Sequence, residues 1–285
     1  MSFMILTDSS CDLSMQQAKE LEVAMVQLSV EVNGVAYAND QLDYPEFYQW
    51  MRDGASAKTF AANPEQWGAE MKKALERGED VLVLAFSSGL SNTCQAANIA
   101  AEELRADYPE RRIVVIDTLC ASLGEGMIVY YCAKLRQQGK SMDEVIAYAE
   151  EKLPGLAHWF TVDDLVYLKR GGRISATTAV VGSLLNIKPV MHVDDAGKLV
   201  SVSKARGRKA SVEAMIASMK RTVVDASAQE VFISHGDCLK DAEYLAQRVK
   251  EEFSVEAVHI GYVGAVIGAH SGPGTLALFF YGTER

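Results

Sequence analysis

Three segments of the chain gather small hydroxyl side chains just after short apolar runs. They are Thr7-Asp8-Ser9-Ser10, Phe86-Ser87-Ser88-Gly89-Leu90-Ser91-Asn92-Thr93, and Asp117-Thr118 running on to Ser122-Leu123-Gly124-Glu125-Gly126. In open α/β sheets, ligands collect at the carboxyl ends of the strands, which is where such turns lie. Glycine admits close approach of the backbone, and serine or threonine hydroxyls with the free N–H groups of a following helix form a neutral cradle for an anionic oxygen. A phosphate or a carboxylate suits that chemistry. A serine in one such turn more often caps a helix; three such turns together favour a site.

A fourth candidate is Ile267-Gly268-Ala269-His270-Ser271-Gly272-Pro273-Gly274, which reads as a rigid glycine turn ahead of an apolar strand. A histidine held there can present a ring N–H to an anion, although a lone histidine often has a structural part only. His158, His192, His235 and His259 lack that setting and read as structural. The stretch from Leu165 to Ser175 joins a short apolar helix pattern to Lys169, Arg170 and Arg173 around Gly171-Gly172. It suits a phosphate or an acidic partner surface, or else a helix end with basic side chains on its last carbonyls.

Catalytic and metal signatures are missing. Gly89-Leu90-Ser91-Asn92-Thr93 is not the nucleophile elbow of α/β-hydrolases, Gly124-Glu125-Gly126 is not a dinucleotide loop, and no Walker A or His-Glu-x-x-His sequence occurs. Asp163-Asp164 and Asp194-Asp195 read as surface pairs. No metal and no cofactor is expected. A hydrolase acting on a lipid or acyl phosphate, with Ser91 as nucleophile, His270 as base and Asp8 as orienter, is the alternative of another class. A lipid-sensing regulator using the surface around Arg170 and Arg173 is a third.

The elements that must position these residues follow an α/β rhythm. Apolar runs beginning at Phe3, Val81 and Ile113 each lead into a turn and then a helix-period segment, which predicts a mostly parallel sheet flanked by helices. Asn33-Gly34 between alternating segments predicts a hairpin with a type I′ turn. Asn63-Pro64-Glu65 and Ser141-Met142-Asp143-Glu144 mark helix starts. Pro154-Gly155 breaks the pattern, and strand, turn, strand and charged helices follow, so two lobes are expected, 1–154 and 155–285, the second α/β with a mixed sheet.

With 285 residues, 49% of them hydrophobic, both lobes can bury a core, and 38 acidic against 28 basic side chains argue against nucleic acid as partner. Five cysteines without a Cys-x-x-Cys pair fit reduced thiols. The opening residues lack a secretory pattern and no run is long enough to span a membrane, so a cytoplasmic protein is expected.

Taken in order and spacing, these segments resemble the DegV family over essentially the whole chain. The resemblance rests on Thr7–Ser10, Ser87–Thr93, Asp117–Gly126, Leu168–Ser175, the run 184–189 and His270–Gly274. It implies two α/β lobes with a long-chain fatty acid between them. It implies a lipid-binding subunit, without catalysis of its own, of a bacterial fatty acid kinase that makes acyl phosphate for phospholipid synthesis. A separate kinase subunit is then the partner, and transient membrane contact is compatible with that role.

The resemblance also places the carboxylate ligands on Thr59, Ser91 and His270, with Asp8, Ser9, Ser10, Ser88, Gly89, Gly272 and Gly274 in supporting loops, and Arg170 and Arg173 on a partner surface. Phe60-Ala61-Ala62 stands where Ser-Gln-Pro is usual, and Asn92 where glycine is usual, a position asparagine can fill in a left-handed conformation. Tail-lining residues are expected within 180–185, Leu276–Phe280 and the helix after Gly126.

Overall fold

A computed structural model describes residues 2–175 and 186–285. The first half folds on a four-stranded parallel sheet of order β2-β1-β6-β7, built from β1 (Phe3–Asp8), β2 (Ala24–Val26), β6 (Asp80–Ala85) and β7 (Ile113–Asp117). β1 and β6 are buried along their whole length, as expected of parallel strands covered on both faces. Helices Pro64–Leu75, Thr93–Asp107 and Leu123–Gln137 are among those that cover it. The first starts on Asn63, whose side chain accepts from Gln66 N while Pro64 fills the first helical position.

Between β2 and β6 the chain inserts a small antiparallel sheet of order β4-β3-β5: β3 (Ser29–Val32), β4 (Val35–Ala38) and β5 (Ala57–Phe60). Asn33 (φ 54°) and Gly34 (φ 76°) form the expected turn, both left-handed as a type I′ hairpin requires. The pairing of β5 with β3 was not anticipated, and it is what carries Thr59 to the site.

The second half folds on a six-stranded mixed sheet of order β10-β9-β8-β13-β11-β12. Its strands are β8 (Leu156–Thr161), β9 (Ile187–Val193), β10 (Leu199–Arg206), β11 (Glu230–His235), β12 (Ala257–Tyr262) and β13 (Leu276–Tyr281). Only the β11–β12 pair is parallel. Helices Arg208–Thr222 and Leu239–Glu252 cover its outer face through Met215, Met219 and Leu245. The inner face turns toward the parallel-sheet half: Leu84 and Met127 share one buried cluster with Phe160, Phe232 and Phe279. Burying each such side chain contributes about 1.5–3 kcal/mol, so the two halves are held by a common core.

Candidate ligand-binding site

Alternation along the strands sets the floor of a cavity. Phe160 on β8, Ala277 on β13 and Ser234 on β11 are cross-strand partners, and His158 pairs with Phe279 one step further on the same face. These side chains line a cavity of about 250 Å³. Leu28, Phe86, Leu168, Val263 and Ile267 are among the apolar residues that complete its walls. Of the expected tail-lining segments, β13 contributes Ala277 and Phe279. The run 180–185 lies outside the described residues. The helix after Gly126 does not contribute among the described residues: Met127, Ile128 and Val129 are spent on the core instead.

Thr59, Ser91 and His270 all line this one cavity. Thr59 alternates inward on β5 while its neighbour Phe60 is exposed. Its Oγ1 shares a hydrogen bond of 2.8 Å with His270 Nε2, across 211 residues of sequence. Ser91 Oγ shares one of 2.8 Å with Thr93 Oγ1 and accepts from Thr93 N at 3.2 Å. Asn92 has φ −82°, so the left-handed conformation expected to accommodate it is not used.

His270 lies in the last turn of a short helix, Ala265–Ser271, and not in the glycine turn expected; Gly272 (φ 83°) ends that helix. Its ring is fixed from behind. A Cβ on Gly171 would stand 2.1 Å from His270 Nδ1, so only glycine lets the Leu168–Arg173 segment approach so closely. Nδ1 is buried with no partner among the described residues. Burial, helped by the Arg173 charge, pushes the ring down to about 4, which keeps it neutral near pH 7. An unpaired ring N–H costs more than an unpaired lone pair when buried, so the proton belongs on Nε2, facing Thr59 and the cavity. In that state Nε2–H donates to Thr59, leaving the threonine hydroxyl proton free for an incoming acceptor.

The supporting residues hold loops and do not line the cavity. Asp8 accepts from Ser10 N and Phe86 N, joining the turns after β1 and β6, and burial pushes its carboxyl up to about 6. Ser9 Oγ accepts from Leu28 N, and Ser88 N donates to Asp117 Oδ1. Gly89 packs on the backbone of Ala196 and Gly197, Gly272 on the ring of Tyr167 and Gly274 on Asp163. No hydrolase relay forms: Ser91 meets Thr93, His270 meets Thr59, and Asp8 is committed to backbone N–H groups. Among the described residues no group of three or more acidic, cysteine or histidine side chains could hold a metal.

Arg170 is exposed, with its guanidinium over the Tyr167 ring. Arg173 is not simply a surface residue: it lines the cavity and donates to Leu90 O and Gly171 O. Sequence reasoning missed this inward turn, and missed His158, which donates from Nδ1 to Leu156 O and is kept neutral by burial, its ring pushed down to about 3.

The DegV family model matches residues 2–283. A DegV domain-containing protein of Clostridium perfringens is 41% identical over 286 residues, covering 99% of this chain and 98% of the relative. This chain belongs to the DegV family. Among solved structures, a fatty-acid-binding DegV family protein from Thermus thermophilus superimposes with TM-score 0.89 at 32% identity, over 99% of this chain and 100% of that one. The fatty acid kinase B3 protein of Streptococcus pneumoniae, loaded with linoleic acid, shares the fold at TM-score 0.87 and 22% identity, covering 99% of both chains. The two-lobed DegV architecture, with its parallel and mixed sheets, is therefore that of this chain.

Among the described residues no helix is long and apolar enough to cross a membrane.

Proposed function

We propose that this DegV protein binds one long-chain fatty acid between lobes 1–154 and 155–285, with the carboxylate held by Thr59, Ser91 and His270. It presents that carboxylate to a separate kinase subunit for phosphorylation to acyl phosphate. The observation that carries the reading is the convergence of Thr59 and His270, 2.8 Å apart, with Ser91 on the walls of one cavity whose remaining lining is mainly apolar.

A buried carboxylate is costly unless its oxygens are hydrogen-bonded. With Nε2–H donating to Thr59, the hydroxyls of Thr59 and Ser91 supply two donors, the first oriented by His270, and the half-buried Arg173 adds a positive charge nearby. Each buried methylene contributes about 0.8 kcal/mol, which suits the apolar walls to an alkyl tail. The fatty acid bound by the Thermus thermophilus relative supports the ligand class, and the shared fold of the Streptococcus pneumoniae kinase protein supports the partner. In this reading the exposed Arg170 belongs to the docking surface.

Reconstitution tests the reading. The fatty-acid-loaded protein, ATP and a bacterial fatty acid kinase catalytic subunit should together form acyl phosphate, and neither protein alone should do so. Turnover of an acyl ester or acyl phosphate by this chain alone would replace the carrier by a hydrolase.

A further inference from the structure

The helix that carries His270 is gripped at its first turn by side chains from the other end of the sequence. Gly264 N donates to Asp12 Oδ1 at 3.0 Å, and Val266 N donates to Asn39 Oδ1 at 3.0 Å. Tyr48 Oη donates to the carbonyl of Val263 at 2.6 Å. The approach is close enough that a Cβ on Gly264 would stand 2.6 Å from Asp12 Oδ1.

Asp12 is attached at both oxygens. Its Oδ2 accepts from Ser122 Oγ, which in turn lies 3.0 Å from Ser234 Oγ. Ser122 and Ser234 line the cavity, and so does His270; Asp12 does not. One carboxyl group thus joins the helix that carries the histidine to the Ser122–Ser234 part of the cavity wall. The Asp12 backbone is left-handed at φ 55°, a conformation aspartate tolerates better than most residues but which still needs support from its surroundings.

Hydrogen bonds hold this carboxyl group. The titratable groups that bear on it are Asp8, Cys11, Tyr44, Tyr48 and Glu125, and none of these is a cation. Burial, with Asp8 acting in the same direction, pushes Asp12 up to about 8 against the bonds from Ser122 and Gly264. An amide of the same shape can therefore take its place, with one oxygen accepting from Gly264 N and the amide nitrogen donating to Ser122 Oγ.

We propose that Asp12 is a positioning residue for the carboxylate clamp: it fixes the His270 helix against the Ser122–Ser234 wall and so sets where Nε2 stands opposite Thr59. The proposal rests on the fatty-acid reading of the site. It deepens that reading by naming the group that keeps the clamp in register.

The test is the preference of the full-length protein for palmitic acid over methyl palmitate, measured by displacement of a fluorescent fatty acid. The ester shares the tail but lacks the anion, so the ratio of the two affinities reads the clamp alone. Asp12→Ala should reduce that preference about tenfold, the size of losing one hydrogen bond to a charged group. Asp12→Asn should keep it, and Asp12→Ala should add little in a His270→Ala background, because the two residues act through one contact. Should the alanine variant fail to fold, Asp12→Ser, too short to reach both partners, reads the same ratio. A preference unchanged in Asp12→Ala or Asp12→Ser, or losses that simply add to that of His270→Ala, would overturn the proposal. A wild-type protein that binds both ligands equally would instead overturn the clamp itself.

Discussion

Thr59 Oγ1 and His270 Nε2 stand 2.8 Å apart although one lies on a short antiparallel strand of the first half and the other on a helix near the end of the chain. Both line the cavity. Their meeting leaves the Thr59 hydroxyl proton, oriented by His270, where an acyl carboxylate would end.

Removing either headgroup donor should be expensive for the ligand and cheap for the fold. Ser91→Ala and His270→Ala should each weaken fatty-acid binding by about 1–3 kcal/mol, the cost of an unpaired charged oxygen. Isothermal titration with palmitate checks this. Unchanged affinity in both variants would remove the proposed headgroup site.

Gly171→Ala should act through His270. The added methyl would stand 2.1 Å from Nδ1, so the ring must move, at an overpacking cost of about 1–3 kcal/mol. Ligand affinity should fall in the wild-type background and hardly change in His270→Ala, where no ring is left to displace. Equal losses in both backgrounds would show that Gly171 serves the helix end and not the histidine.

The histidine should titrate differently with and without its ligand. Burial and Arg173 hold the empty-site ring down to about 4, and a carboxylate beside it favours the protonated form and raises that value. Proton NMR of the His270 ring should therefore show an upward shift with palmitate and none with methyl palmitate. A ring that titrates near its ordinary value of 6.5 in the empty protein would contradict the buried placement.

Asp12 makes a separate prediction about stability. Its carboxyl goes from 3.8 when free to about 8 in the fold, so the folded protein holds an extra proton between those values. Stability then falls as pH rises through that window. Asp12→Asn lacks this titration, so its melting temperature relative to wild type should climb from pH 4 to pH 8. A difference that stays flat with pH would mean that Asp12 is not desolvated.

Much of the fold was legible because its signals are local. Turn chemistry at Asn33-Gly34 and capping at Asn63 and Ser141 need only neighbouring residues, and all three stand as expected. The His270 helix was not legible: Gly268 in its middle reads as a turn residue, yet it sits there because a Cβ would stand 2.4 Å from Tyr48 Oη. Tyr48 is 220 positions away, and no local pattern announces it. The inward course of Arg173 and the span of Asp12 from Ser122 to Gly264 were hidden for the same reason, since each depends on partners that only the tertiary fold supplies. The three headgroup residues came from the family resemblance in the case of Thr59, and from loop chemistry as well for Ser91 and His270.

The most direct test is native mass spectrometry of the freshly purified protein, followed by denaturation and identification of what is released. One C14–C18 fatty acid per chain, lost or much reduced in His270→Ala, is the predicted result. A protein that arrives empty and takes up no added fatty acid would contradict it.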